Sequence, residues 1–183
     1  MRDLVVTENI TVDGVIDASE GWFGPGDDGE VDQSDLLAAL KLQREAADGF
    51  LVGRQTFEDM RGFWPHQTDD QTGISDYLNQ VTKYVVSTTL QDPDWEHSVV
   101  LRDLAAVAAL KDQPGKDIVA TGSIKLVHSL AAAGLVDEYR LFVYPVVLGK
   151  GERLFADGSP RANLRLVESL PFRSGVTLLR YRS

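Results

Sequence analysis

Cysteine is absent from this chain. Disulfides, thiolate nucleophiles and cysteine-ligated zinc are therefore excluded. Histidine is scarce: His66, His97 and His128 are scattered and match no metal-ligand spacing. The acidic run Asp27, Asp28 and Glu30 reads as solvated charge, and no metal is expected. No apolar stretch approaches the roughly 20 residues needed to span a bilayer. Basic residues are few, 18 Lys and Arg against 28 Asp and Glu, for a formal net charge of -10. Such a field repels nucleic-acid phosphates and anionic membranes. It does not exclude a small anionic ligand, because a pocket can be locally positive within an acidic protein. Nucleophile elbow, Walker A loop and His-Glu-x-x-His helix are all missing, which argues against hydrolase and kinase chemistry. Met1–Arg2–Asp3 leads into a strand-like segment without a signal-peptide pattern, so a cytoplasmic protein is expected.

What is present suits one soluble domain over residues 1–183, with 43% hydrophobic residues. Short apolar runs alternate with helix-like segments, the pattern of an α/β sheet covered by helices. Strands are expected at Leu4–Val6, Phe50–Val52, Tyr84–Val86, Val99–Leu101, Asp117–Ala120 and Tyr139–Val147. Helices are expected from Asp32, over Thr56–Met60, near Ser75–Gln80, after Asp103 and after Ser123. Leu164–Leu170 and Val176–Tyr181 read as a terminal antiparallel hairpin on a mostly parallel sheet. Gly21–Gly29 reads as a glycine-rich loop carrying Trp22 and Phe23.

Chemistry is expected at the carboxyl ends of the strands, where ligands gather in open α/β sheets. Thr121–Gly122–Ser123 runs directly into a helix, whose free N–H groups suit a phosphate. Gly53–Arg54–Gln55–Thr56 has the same form plus a guanidinium. Ser87, Thr88 and Thr89 place hydroxyls at a third strand end. Each also reads as ordinary structure: a helix cap, a surface arginine, a turn closed by hydroxyls.

Taken in order, Val12–Asp13–Gly14–Val15–Ile16, Leu51–Val52–Gly53–Arg54–Gln55–Thr56–Phe57, Val85–Val86–Ser87–Thr88 and Val119–Ala120–Thr121–Gly122–Ser123 resemble dihydrofolate reductase. Leu135–Leu141 followed by Pro145–Gly151 is more similar to the riboflavin-biosynthesis reductase branch of that superfamily. The resemblance implies a dihydrofolate-reductase-like three-layer α/β fold. It also implies NADPH as cofactor. Gly53, Arg54 and Thr56 match family positions around the phosphates, and Ser87 and Thr88 match the pair at the 2′-phosphate. Thr121, Gly122, Ser123 and Ile124 match the turn under the pyrophosphate. Asn9 and Ile16 match positions flanking the nicotinamide.

The substrate half departs from dihydrofolate reductase. The acid of the family's first helix has no clear match, its position falling at or near Leu37. Asp35 is the nearest carboxylate and a candidate proton donor, although Asp32 and Asp35 equally suit the first turn of a helix. Tyr144 is the other candidate. Trp22 and Trp64 are candidates for stacking on a flat heterocycle, with a hydrophobic plug as the alternative. The expected function is an NADPH-dependent reductase acting on a small heterocycle. True dihydrofolate reductase and a non-catalytic small-molecule binder are the alternatives. By analogy with the reductase branch, Tyr139–Val147 and the terminal hairpin are candidates for a homodimer edge.

Overall fold

The computed structural model describes residues 1–23, 31–70 and 72–183. Asp27, Asp28, Glu30 and most of the expected glycine-rich loop lie outside the described residues. The elements follow in chain order as β1 (Leu4–Thr11), α1 (Ser34–Glu45), β2 (Ala47–Gly53), α2 (Arg54–Phe63), α3 (Ile74–Gln80), β3 (Thr82–Val86) and β4 (Ser98–Leu101). Then come α4 (Leu104–Lys111), β5 (Asp117–Ala120), α5 (Ile124–Ala132), β6 (Glu138–Tyr144), β7 (Arg165–Pro171) and β8 (Thr177–Arg182). One 3-10 turn, Trp64–His66, follows α2.

The strands form one sheet in the order β4-β3-β2-β5-β1-β6-β8-β7. β1 to β6 pair in parallel, while β8 runs antiparallel to β6 and to β7. The expected terminal hairpin therefore forms the last two strands. Central parallel strands are buried on both faces, which is why they read as unbroken apolar runs. Their side chains alternate between two cores. Leu4, Val6, Leu51, Ile118 and Ala120 pack with Val107, Val127 and Leu130 of α4 and α5. Phe50 and Val52 pack with Phe57 of α2 and Leu78 of α3, and Phe142 packs with Leu36 of α1.

Helix ends follow local chemistry. Asp103 caps α4, its carboxylate accepting from the Ala106 N–H at 2.8 Å. α1 begins at Ser34, two residues later than the sequence suggests. Asp32 stays outside the helix because its carboxylate accepts from the Ser34 N–H at 2.9 Å and pairs with Arg173. No helix among the described residues is long and apolar enough to cross a membrane.

One buried cation joins β3 to its surroundings. Lys83 is fully buried, and its ammonium donates to the carbonyls of Leu78 and Val81 at 2.6 and 3.1 Å. It also lies 4.7 Å from the Trp95 ring. Burial pushes its pKa down to about 8, against a smaller upward pull from Glu96. The unfolded chain thus binds more protons than the folded one between about pH 8 and pH 10.4. Stability attributable to Lys83 should rise with pH across that window. Urea unfolding at several pH values checks this: the rise should be smaller in Lys83→Met.

Candidate active site at the strand ends

The carboxyl ends of β1, β2, β5 and β6 border one cavity of about 1130 Å³. Single-ligand pockets span about 300–1,000 Å³. The space therefore suits a large ligand with a smaller one beside it.

Two strand-to-helix junctions build its floor. β2 passes into α2 through Gly53, and β5 into α5 through Thr121–Gly122–Ser123. The junctions touch: the Gly53 N–H donates to the Gly122 carbonyl at 3.4 Å. A side chain at Gly53 would run into the Ser123 hydroxyl. Gly122 has a φ of +59°, and a Cβ there would stand 3.1 Å from the Thr56 hydroxyl. Glycine at both positions is what allows this approach. Ser123 is the N-cap of α5 but makes no side-chain capping bond. The first amides of α5 are left uncapped by that hydroxyl. Arg54, Thr56, Thr121, Gly122, Ser123 and Ile124 all line the cavity. Arg54 meanwhile pairs with Glu58 at 2.9 Å.

The loop after β1 forms a second wall. Thr11 donates its hydroxyl to Asp13 at 2.6 Å, and Asp13 accepts from the Gly149 N–H at 2.7 Å. The Thr11 bond, then the Gly149 bond, hold the Asp13 carboxyl down at about 2. This clamp joins the β1 loop to the segment after β6. Asn9, Ile16 and Tyr144 line the cavity between them.

The third wall is mainly apolar and comes from α1, α3 and the 3-10 turn. α1 presents Leu36, Leu40, Gln43 and Arg44 to the cavity, and Trp64 and Tyr77 stand opposite the strand ends. Gln43 donates to the Thr7 hydroxyl of β1 at 3.0 Å.

Several expected residues lie elsewhere. Asp35 does not line the cavity. Its carboxylate accepts from the Leu36 N–H at 2.9 Å and from the Arg173 N–H at 3.0 Å, fastening α1 to the β7–β8 turn. The cavity-facing stripe of α1 carries no carboxylate. Ser87 and Thr88 also lie off the cavity lining. The Ser87 hydroxyl accepts from the N–H groups of Thr89 and Leu90 at 3.2 and 3.0 Å, closing the turn after β3. β3 is separated from β5 by β2, so its end is set to one side of the two joined junctions. Trp22 stands behind the wall rather than in it. Its indole N–H donates to the Asp17 carbonyl at 2.7 Å, and its ring meets Tyr144 edge-on at 5.5 Å.

Glu8 is the residue that sequence reasoning missed. It lines the cavity from the central strand β1. Its Oε1 accepts from the Gly122 N–H at 3.1 Å. Burial raises its pKa from 4.5 to about 8, with the Gly122 bond pulling the other way. The available signal was a carboxylate within Leu4–Ile10, a strand otherwise destined for the middle of the sheet, where unpaired acids are costly.

Comparison with known proteins places this arrangement. The sequence profile described as the RibD C-terminal domain matches residues 2–178. The uncharacterized protein YyaP of Bacillus subtilis (strain 168) is 33% identical over 187 residues, covering 98% of this chain and 94% of its own. A pyrimidine reductase-like protein from Corynebacterium diphtheriae NCTC superposes with a TM-score of 0.67 at 18% identity, over 99% of this chain and 91% of that one. Dihydrofolate reductase from Enterococcus faecalis, complexed with NADP(H) and RAB-propyl, superposes with a TM-score of 0.61 at 17% identity, over 98% and 95%. The fold is dihydrofolate-reductase-like.

Proposed function

The chain belongs to the RibD C-terminal domain family, and from that premise we propose that it is an NADPH-dependent reductase acting on a ring C=N or C=O of a small heterocycle. The observation that carries this reading is the pair of joined junctions. Gly53 and Gly122 let the two junctions close on each other, because a Cβ at either would meet Ser123 or Thr56, and the closed junctions make a backbone cradle beside the first turn of α5. That cradle fits a pyrophosphate, which needs close backbone approach and N–H donors more than side chains. Ser123, Ile124 and Thr56 would hold the phosphates. Arg54 would exchange its partner Glu58 for the 2′-phosphate, a charge-assisted contact that NADH lacks. When bound, the dinucleotide supplies hydride from C4 of its nicotinamide.

The protein's part is alignment and dryness. Asn9 and Ile16 would flank the nicotinamide. Leu36, Leu40, Trp64 and Tyr77 would hold a flat ring and exclude water. Tyr144, braced from behind by Trp22, would orient the substrate. The carboxylate-free cavity face of α1 favours a pyrimidine-type ring over the pterin of dihydrofolate reductase.

Titration with NADPH tests the reading, with tryptophan fluorescence as the signal because Trp64 lines the cavity. Saturable quenching at micromolar cofactor is expected. Arg54→Ala should weaken NADPH by about tenfold to a hundredfold, the scale of one lost charge-assisted hydrogen bond at about 1.5–3 kcal/mol. NADH affinity should change little. Absence of quenching by millimolar NADPH would instead favour a binder of another small molecule.

A further inference from the structure

The cavity contains one acid placed where the two proposed ligands would meet. Along β1, Thr7 turns toward α1 and bonds Gln43, while Glu8 turns the opposite way and meets Gly122 at the head of α5. Glu8 thus sits between the apolar wall and the phosphate cradle. Among the described residues its second oxygen, Oε2, makes no hydrogen bond. Since Glu8 lines the cavity, that oxygen is left to the space inside it.

Among the described residues, no charge offsets this carboxyl. The other titratable groups on the lining come from every surrounding element: Arg44 of α1, Arg54 and Asp59 of α2, Tyr77 of α3, Lys125 of α5, Tyr144 of β6, and Asp17 and Glu152 of the loops. Arg44 is held by the Thr72 carbonyl and Arg54 by Glu58. Only burial and the single Gly122 bond shift Glu8, and burial wins. At neutral pH the group is therefore mostly a neutral carboxylic acid. A residue needed only to accept from the Gly122 N–H would serve equally as glutamine, without an ionisable proton.

We propose that Glu8 is the proton donor of this reductase, delivering a proton to the substrate heteroatom as hydride reaches the neighbouring carbon. The inference rests on the reductase reading above. At a C=N group, hydride forms the new C–H bond, and the π pair moves to nitrogen. The Glu8 O–H bond breaks and an N–H bond forms. NADPH is oxidised to NADP⁺, the C=N group is reduced to CH–NH, and Glu8 is left as a carboxylate. The Gly122 N–H steadies that carboxylate until water returns a proton through the cavity mouth. The role expected of Asp35 thereby passes from the first helix to the first strand.

Infrared spectra of protein carrying ¹³C-carboxyl glutamate test this without any substrate. The wild type should show a protonated-carboxyl band at pH 7 that is absent from Glu8→Gln. That band should titrate near pH 8 in the free protein. A donor must also respond to the redox state of its neighbour. The cationic ring of NADP⁺ should lower the midpoint by about 1–3 pH units relative to the NADPH complex, as an opposite charge within contact range does. Glu8→Gln should bind NADPH within about threefold of wild type. A missing band, a band that survives in Glu8→Gln, or equal midpoints with both cofactor forms would each overturn the assignment. If Glu8→Gln fails to fold, the wild-type midpoints alone decide. Should neither dinucleotide quench tryptophan fluorescence while the band is present, the cofactor reading has failed rather than the identification of the acid.

Discussion

Gly122→Ala is expected to lower NADPH affinity at least a hundredfold while leaving the protein folded. Two separate effects lead there. The φ of +59° puts the residue in the left-handed region, where an L side chain costs about 1–2 kcal/mol. The added methyl would also stand 3.1 Å from the Thr56 hydroxyl and 3.6 Å from its methyl. Relief requires either the Thr56 side chain, one of the groups proposed to hold the phosphates, or the Thr121–Ser123 turn to give by a few tenths of an ångström. Either shift disturbs the phosphate cradle, and the second also displaces the N–H that Glu8 accepts from. Gly134→Ala separates the two effects. Gly134 follows the C-cap of α5 with a φ of +64°, and a Cβ there meets nothing within 4 Å. It should lose a similar stability and keep its cofactor affinity. Fluorescence titration and urea unfolding of both variants give the comparison. Equal NADPH affinity in Gly122→Ala and wild type would remove the cradle from the cofactor site.

The difference between these glycines illustrates what the sequence conveys and what it does not. Central parallel strands announce themselves, because burial on both faces demands runs such as Leu4–Val6, Phe50–Val52 and Ile118–Ala120. Glycine at the strand ends is also legible, since close backbone approach has few other solutions. Hydroxyl and carboxyl groups are harder. Serine at the end of β3 has the same letter whether it holds a phosphate or closes its own turn, and in the structure the Ser87 hydroxyl accepts from two amides of that turn. Asp35 suits both a proton donor and the first turn of a helix by position, and in the structure its carboxylate accepts from the Leu36 and Arg173 amides. Glu8 went unnoticed for the converse reason. In Thr7-Glu8-Asn9 it reads as a polar break, and its burial arises only once the β5–α5 junction closes over it. Local sequence specifies the scaffold; which polar group is left unspent is decided by tertiary packing.

The largest loss of stability is expected from the opposite end of the sheet. Glu138 begins β6 and is 2% exposed. Its Oε1 accepts from the side chains of Arg140 and Arg180 at 2.6 and 2.8 Å, and Oε2 from Arg180 at 3.2 Å. Arg140 also reaches Asp117 of β5. The cluster thus ties the parallel body of the sheet to the antiparallel hairpin. Burial opposes ionisation of Glu138, but the Arg180 and Arg140 hydrogen bonds overcome it and hold its pKa below 4.5. Glu138→Ala would strand guanidinium groups, and breaking a buried ion pair in this way costs about 3–5 kcal/mol. Because the folded pKa is depressed, this contribution is present above the unfolded pKa near 4.3 and fades as pH falls through the folded value. Wild type and Glu138→Ala should therefore converge in strong acid. β6 rises about 3.3 Å per residue, which carries Glu138 roughly 20 Å from Tyr144 at the cavity. NADPH affinity of the folded variant should stay unchanged. An affinity loss matching the stability loss would mean that the hairpin, rather than the strand-end junctions alone, shapes the site.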